Sequence, residues 1–128
     1  MQTKHIAIIP ASTKPFRQIS IGRDNAIALA NTNWWKGIGE KDFFKAQLFI
    51  AEMCCNFGDF HDAASVALNA PIFTHDFINL QFLAQLLLGK DYREPTIEEI
   101  IGLIPANKIA EAEIDLLFAA KWQNELVF

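Results

Sequence analysis

The chain has 128 residues, 52% of them hydrophobic, with 15 acids against 11 bases for a net charge of −4. A length of this order predicts one domain over 1–128 with a core of its own, and the apolar content excludes intrinsic disorder. No apolar run approaches the ~18 residues that span a bilayer, the residues before Pro10 do not make a secretory leader, and the acidic balance speaks against nucleic-acid binding.

In chain order, residues 5–9 form an isoleucine-rich run that stops at Pro10. Residues 10–15 carry a proline at each end and small polar residues between, which is loop chemistry. Residues 16–21 then alternate, with Phe16, Gln18 and Ser20 on one face and Arg17, Ile19 and Ile21 on the other. Two short strands around a short loop predict a β-hairpin over 1–22. An isolated hairpin is marginally stable, so it must pack on the rest of the chain or pair with another chain, which allows a homo-oligomer through its open edge.

The remainder, 23–128, reads as a helical body. Residues 24–30 predict a short helix with Ala26, Ile27, Leu29 and Ala30 inward, followed by Asn31-Thr32-Asn33 turn chemistry. Residues 41–57 predict the strongest helix, apolar around most of its circumference and therefore central. Residues 59–69 predict another helix. Residues 74–88, started by Thr74 with Asp76 in the first turn, predict a second central one. Thr96 and Glu99 fit a capping box, and residues 107–122 predict the last helix. The fold class expected is α+β, mostly α: an N-terminal two-stranded hairpin packed on a compact bundle of five or six helices. Phe44, Ile50, Leu80, Phe82 and Leu83 are the expected core.

Cys54 and Cys55 are adjacent and are the only cysteines. Neighbouring cysteines rarely bridge each other, so the expectation is two buried thiols in a reducing, cytoplasmic setting. A zinc site from Cys54, Cys55, His61 and His75 is disfavoured, because adjacent helical residues point ~100° apart. A Cys–His61 nucleophile lacks the electropositive surroundings that activate a thiol. The glycines of Gly37-Ile38-Gly39 are too few, and wrongly placed, for a phosphate loop. Two His-Asp pairs, His61-Asp62 and His75-Asp76, have side chains suited to a divalent metal and so to a small metal-dependent hydrolase. Their bland reading is helix-start chemistry beside an exposed imidazole. No cofactor is expected otherwise.

The more informative feature is Trp34-Trp35-Lys36, a tryptophan pair beside a lysine. Tryptophan is enriched at binding hot spots, yet large aromatics as often cover a core. The first 45 residues hold seven bases against three acids, and the rest four against twelve. Such asymmetry marks an interaction surface, or else two halves that neutralise each other. A protein partner, acidic by this logic, is expected at Arg17, Trp34, Trp35 and Lys36. Nucleic acid stacking on the same aromatic and basic residues is disfavoured by the acidic remainder.

Strand, proline-flanked loop, strand and helical body is also the outline of the small tail-assembly-chaperone-like proteins of tailed bacteriophages. The passage Phe16-Arg-Gln-Ile-Ser-Ile-Gly-Arg23 into Ala26-Ile-Ala-Leu-Ala30 resembles their strand-to-first-helix passage, and Lys90-Asp-Tyr-Arg-Glu-Pro-Thr-Ile-Glu-Glu99 is similar to a later segment. The resemblance implies a non-enzymatic, phage- or mobile-element-encoded binder of another protein, phage structural or host: an assembly factor, adaptor or inhibitor.

Overall fold

The computed structural model describes residues 16–126, with side chains as far as Asn124. It is mostly helical (61%), with seven α-helices among the described residues. These are α1 (Arg23–Ala30), α2 (Glu40–Leu48), α3 (Phe57–Leu68), α4 (Leu80–Leu88), α5 (Ile97–Ile101), α6 (Ala106–Glu111) and α7 (Leu116–Lys121). Single 3-10 turns at Trp34–Gly37 and Thr74–Ile78 precede α2 and α4, and a π-helical turn, Trp122–Leu126, follows α7. No helix among the described residues is long and apolar enough to cross a membrane.

The expected hairpin, and with it the α+β class, is corrected: the described residues contain no β-strand and no sheet. The first expected strand, residues 5–9, lies outside the described residues. The second is extended but pairs with a loop. Ile19 makes one isolated parallel bridge to Ile50, with Ile19 N donating to Phe49 O at 2.7 Å and Ala51 N donating to Ile19 O at 2.9 Å. The alternation holds over residues 18–21, where Ile19 and Ile21 are buried and Gln18 and Ser20 half-buried, but Arg17, on the isoleucine face by the same count, is exposed. Periodicity of two reports which side is covered and says nothing about what covers it. Gly22, at φ +88°, then turns the chain into α1, a backbone conformation that a side chain would strain.

The long helix expected over 41–57 is two helices with a buried irregular segment between. The α2 helix ends at Leu48, and α3 begins at Phe57 behind the Asn56 cap, whose side chain accepts from Asp59 N. The apolar pattern of the intervening segment reflects burial at Phe49, Ile50 and Cys54, each at most 2% exposed, while Met53 is 47% exposed. Buried backbone outside a helix needs other hydrogen-bond partners, and three side chains supply them. Gln47, itself 3% exposed, donates through Nε2 to the carbonyls of Glu52 (3.0 Å) and Ile50 (3.3 Å), and accepts at Oε1 from Cys54 N (2.8 Å). Gln18 Nε2 donates to Leu48 O at 3.0 Å, and the Trp34 indole to Cys54 O at 2.8 Å. Glu52 reaches back across the bridge, accepting from Ser20 Oγ at 2.6 Å and Ile21 N at 2.8 Å.

Two further breaks differ from expectation. Thr74 opens a 3-10 turn, while α4 starts six residues later under an Asn79 cap that accepts from Phe82 N. The expected last helix is cut by Glu113 at φ +60°, after which Asp115 caps α7. The Thr96–Glu99 capping box is present, with both hydrogen bonds formed. Helix α2 packs on α3 and α5 on α7. Of the expected core, Phe44, Ile50 and Leu83 are at most 1% exposed, whereas Leu80 and Phe82 are only half-buried at the edge of α4.

Candidate functional site: a cleft beside Trp35

Asn33, in the left-handed region at φ 55°, sets the 3-10 turn so that both tryptophans point inward. Trp34 is 0% exposed and meets the Phe43 ring edge-on at 5.5 Å. Trp35 is 7% exposed and lies nearly parallel to Phe43, 21° apart and 5.9 Å between centroids. Its indole Nε1 donates to Asp59 Oδ2 at 2.9 Å. A rigid stacked pair, tied to the first turn of α3 by a hydrogen bond, thus floors one side of the molecule. Neither tryptophan stands out as an exposed anchor.

Above that floor is an open cavity of about 380 Å³. One wall is a stripe of α3: Asp59, Asp62, Ala63 and Val66 fall at i, i+3, i+4 and i+7, and therefore on one helix face. The opposite side is Lys36, Ile38 and Glu40, the short link from the 3-10 turn into α2. Lys36, Glu40 and Asp62 are exposed, and none forms an ion pair with a described residue. Three carboxylates against one ammonium leave the cleft with a local charge of about −2 at neutral pH. Sequence reasoning took Asp62 only as half of a His-Asp pair. The spacing of Asp59, Asp62 and Val66 was the signal that could have found the wall.

The other expected residues go elsewhere. Arg17 is exposed on a separate cavity of about 450 Å³, lined by Phe49, Glu94, Glu98 and Asn124 among others, so it does not join Trp35 and Lys36 in one cavity. The faces of Trp34 and Trp35 are covered and are not a platform for stacking bases.

The two His-Asp pairs serve four separate purposes. His61 hydrogen-bonds through Nε2 to the Ile72 carbonyl and packs against Phe77. Asp62 faces the cleft. His75 is exposed, stacks on Phe73 and lies 3.7 Å from Asp76. Asp76 accepts from Phe73 N at 2.7 Å, which shapes the 3-10 turn. Among the described residues, no three His, Cys, Asp or Glu side chains gather as a metal would require. The metal set of His61, Asp62, His75 and Asp76, and the zinc set with Cys54 and Cys55, therefore have no geometry to support them within this region.

The thiols are equally unsuited to nucleophilic work. Burial, reinforced by the Glu52 charge, pushes Cys54 up to about 12. Burial and the neighbouring Cys54 and Asp59 push Cys55 up as well. Gly37 and Gly39 have ordinary backbone and open space where a Cβ would stand, so nothing there demands glycine for phosphate approach.

Comparison of the chain with models of protein families, with curated proteins and with solved structures finds no match.

Proposed function

We propose that this chain is a non-catalytic protein-binding protein, phage- or mobile-element-encoded, that acts as an assembly factor, adaptor or inhibitor in the cytoplasm. The observation that carries the reading is the preformed cleft beside Trp35: an apolar floor fixed by stacking and one indole hydrogen bond, with charged groups at its rim. A concave, apolar site with a few convergent polar groups is the usual form of a binding site. The chemistry elsewhere in the described residues supports binding over catalysis, because burial pushes both thiols up and His61 is committed to a backbone carbonyl. The phage assignment rests on the sequence resemblance of residues 16–30 and 90–99, now without a hairpin.

The test is partner capture from lysate of the source cells with immobilised wild-type protein. The comparison is with Lys36→Glu, Arg17→Glu and, away from the cleft, Glu111→Lys, each confirmed folded by circular dichroism. Loss or strengthening of one stoichiometric partner with Lys36→Glu alone places binding at the cleft. Loss with Arg17→Glu alone moves it to the neighbouring cavity. Recovery of no protein partner by the wild type overturns the reading.

A further inference from the structure

We infer that the cleft beside Trp35 receives a lysine or arginine side chain from a basic segment of the partner. The inference rests on the protein-binding reading and commits to the sign of the partner's charge. That sign is opposite to the one that the base-rich first 45 residues suggest. Those residues contribute Lys36 and Glu40 to the rim, but α3 brings in Asp59 and Asp62 from the acidic remainder. These four are the ionisable groups that line the cleft, and they weigh more there than the average of either half, because exposed charges beyond a Debye length of about 8–10 Å are largely screened.

Shape and chemistry agree with that occupant. Long basic side chains lay an apolar stem along apolar surface and carry the charge at the tip. Val66 is 61% exposed and, with half-buried Ile38 and the edge of Trp35, offers the apolar wall for such a stem. The acids stand at the rim, where the tip would reach. Asp59 is already oriented by the Trp35 indole, which holds one oxygen and leaves the other. Asp62 and Glu40 make no side-chain hydrogen bond or ion pair with a described residue that would have to break first. An acidic side chain would instead face three carboxylates and a single lysine.

The experiment uses the full chain and defined probes: fluorescently labelled octalysine, octaarginine and octaglutamate, titrated by anisotropy at low and physiological salt. Wild-type protein is compared with Asp62→Lys, with Lys36→Glu, and with Glu111→Lys. The last makes the same change in net charge as Asp62→Lys at an exposed site outside the cleft. Expected are binding of the basic peptides, weakening of about five- to tenfold by Asp62→Lys, and tightening of about threefold or more by Lys36→Glu. Glu111→Lys is expected to change affinity less than about twofold. Should Asp62→Lys destabilise α3, Lys36→Glu still tests the sign, because the Lys36 side chain is exposed on the 3-10 turn and lies on a different element from α3. Equal effects of Asp62→Lys and Glu111→Lys, or tighter binding of octaglutamate than of octalysine, overturn the inference. Such a result leaves the protein-binding reading standing if the lysate experiment yields a partner. A wild type that binds neither basic peptide while still capturing a partner likewise overturns only the cleft's assignment.

Discussion

The side chain of Gln47 stands in for missing backbone around Cys54. Its Oε1 accepts the Cys54 N–H at 2.8 Å, while its Nε2 donates to the carbonyls of Ile50 and Glu52. One buried amide thereby satisfies three main-chain groups of a segment that is neither helix nor strand. A glutamine is almost never buried without such a task.

The first expected outcome concerns that residue. Gln47→Ala leaves a buried N–H and two carbonyls short of partners, and should cost about 3 kcal/mol in urea unfolding. Gln47→Met, which keeps the volume without the polar groups, should cost a similar amount. A loss below about 1 kcal/mol in both variants would show that water replaces the amide without penalty.

The core makes a graded prediction. Phe44 is fully buried and stacked on Phe60 at 5.4 Å, so Phe44→Ala should cost about 3–5 kcal/mol. Phe82 is only half-buried, so Phe82→Ala should cost about 1–2 kcal/mol. Denaturant midpoints at unchanged m-value provide the comparison, and an inverted order would place α4 deeper than the structure has it.

A third outcome is acid sensitivity. Burial raises the Glu52 pKa, but hydrogen bonds from Ser20 Oγ and Ile21 N outweigh it and hold the carboxyl below its ordinary 4.5. The folded state therefore binds this proton less readily than the unfolded one. Its contribution to stability is complete above the unfolded value and fades as pH falls through the lower folded value. Glu52→Gln should be less stable than the parent at pH 7 and should lose less stability between pH 7 and pH 3. Parallel pH profiles for the two proteins would refute the role of the carboxylate.

The fourth concerns the thiols. With Cys54 pushed up to about 12, about one thiol in ten thousand is ionised at pH 8. Disulfide-exchange reagents should label neither cysteine in the native state at a rate near that of a free thiol, and both in denaturant. Rapid native labelling of either would show that the segment around Cys54 opens readily.

Much of this protein was legible in its residues. The Thr96–Glu99 capping box, the helix over residues 59–69 and the inward Ala26 and Leu29 are local features, set by neighbours within one or two turns, and the structure has them, whereas Ile27, expected inward with them, is 49% exposed and Ala30 half-buried. Hydrophobicity also marked Ile50 and Cys54 as buried. It could not distinguish a buried helix from a buried loop, because both are apolar on every side. What decided between them was Gln47, together with partners 30 or more residues away: Ile19, which bridges Ile50, and Gln18, which bonds Leu48 O. The same limit governs the candidate site. Trp34 and Trp35 could be recognised as unusual, but whether they face solvent depended on Phe43 and Asp59 arriving from α2 and α3 to cover them. Net charge along the sequence pointed to an acidic partner, whereas the cleft is acidic because folding sets Asp59 and Asp62 beside Lys36. Local propensity and burial are written in short stretches of chain. Pairing across long separations and the sign of a surface are properties of what the fold brings together.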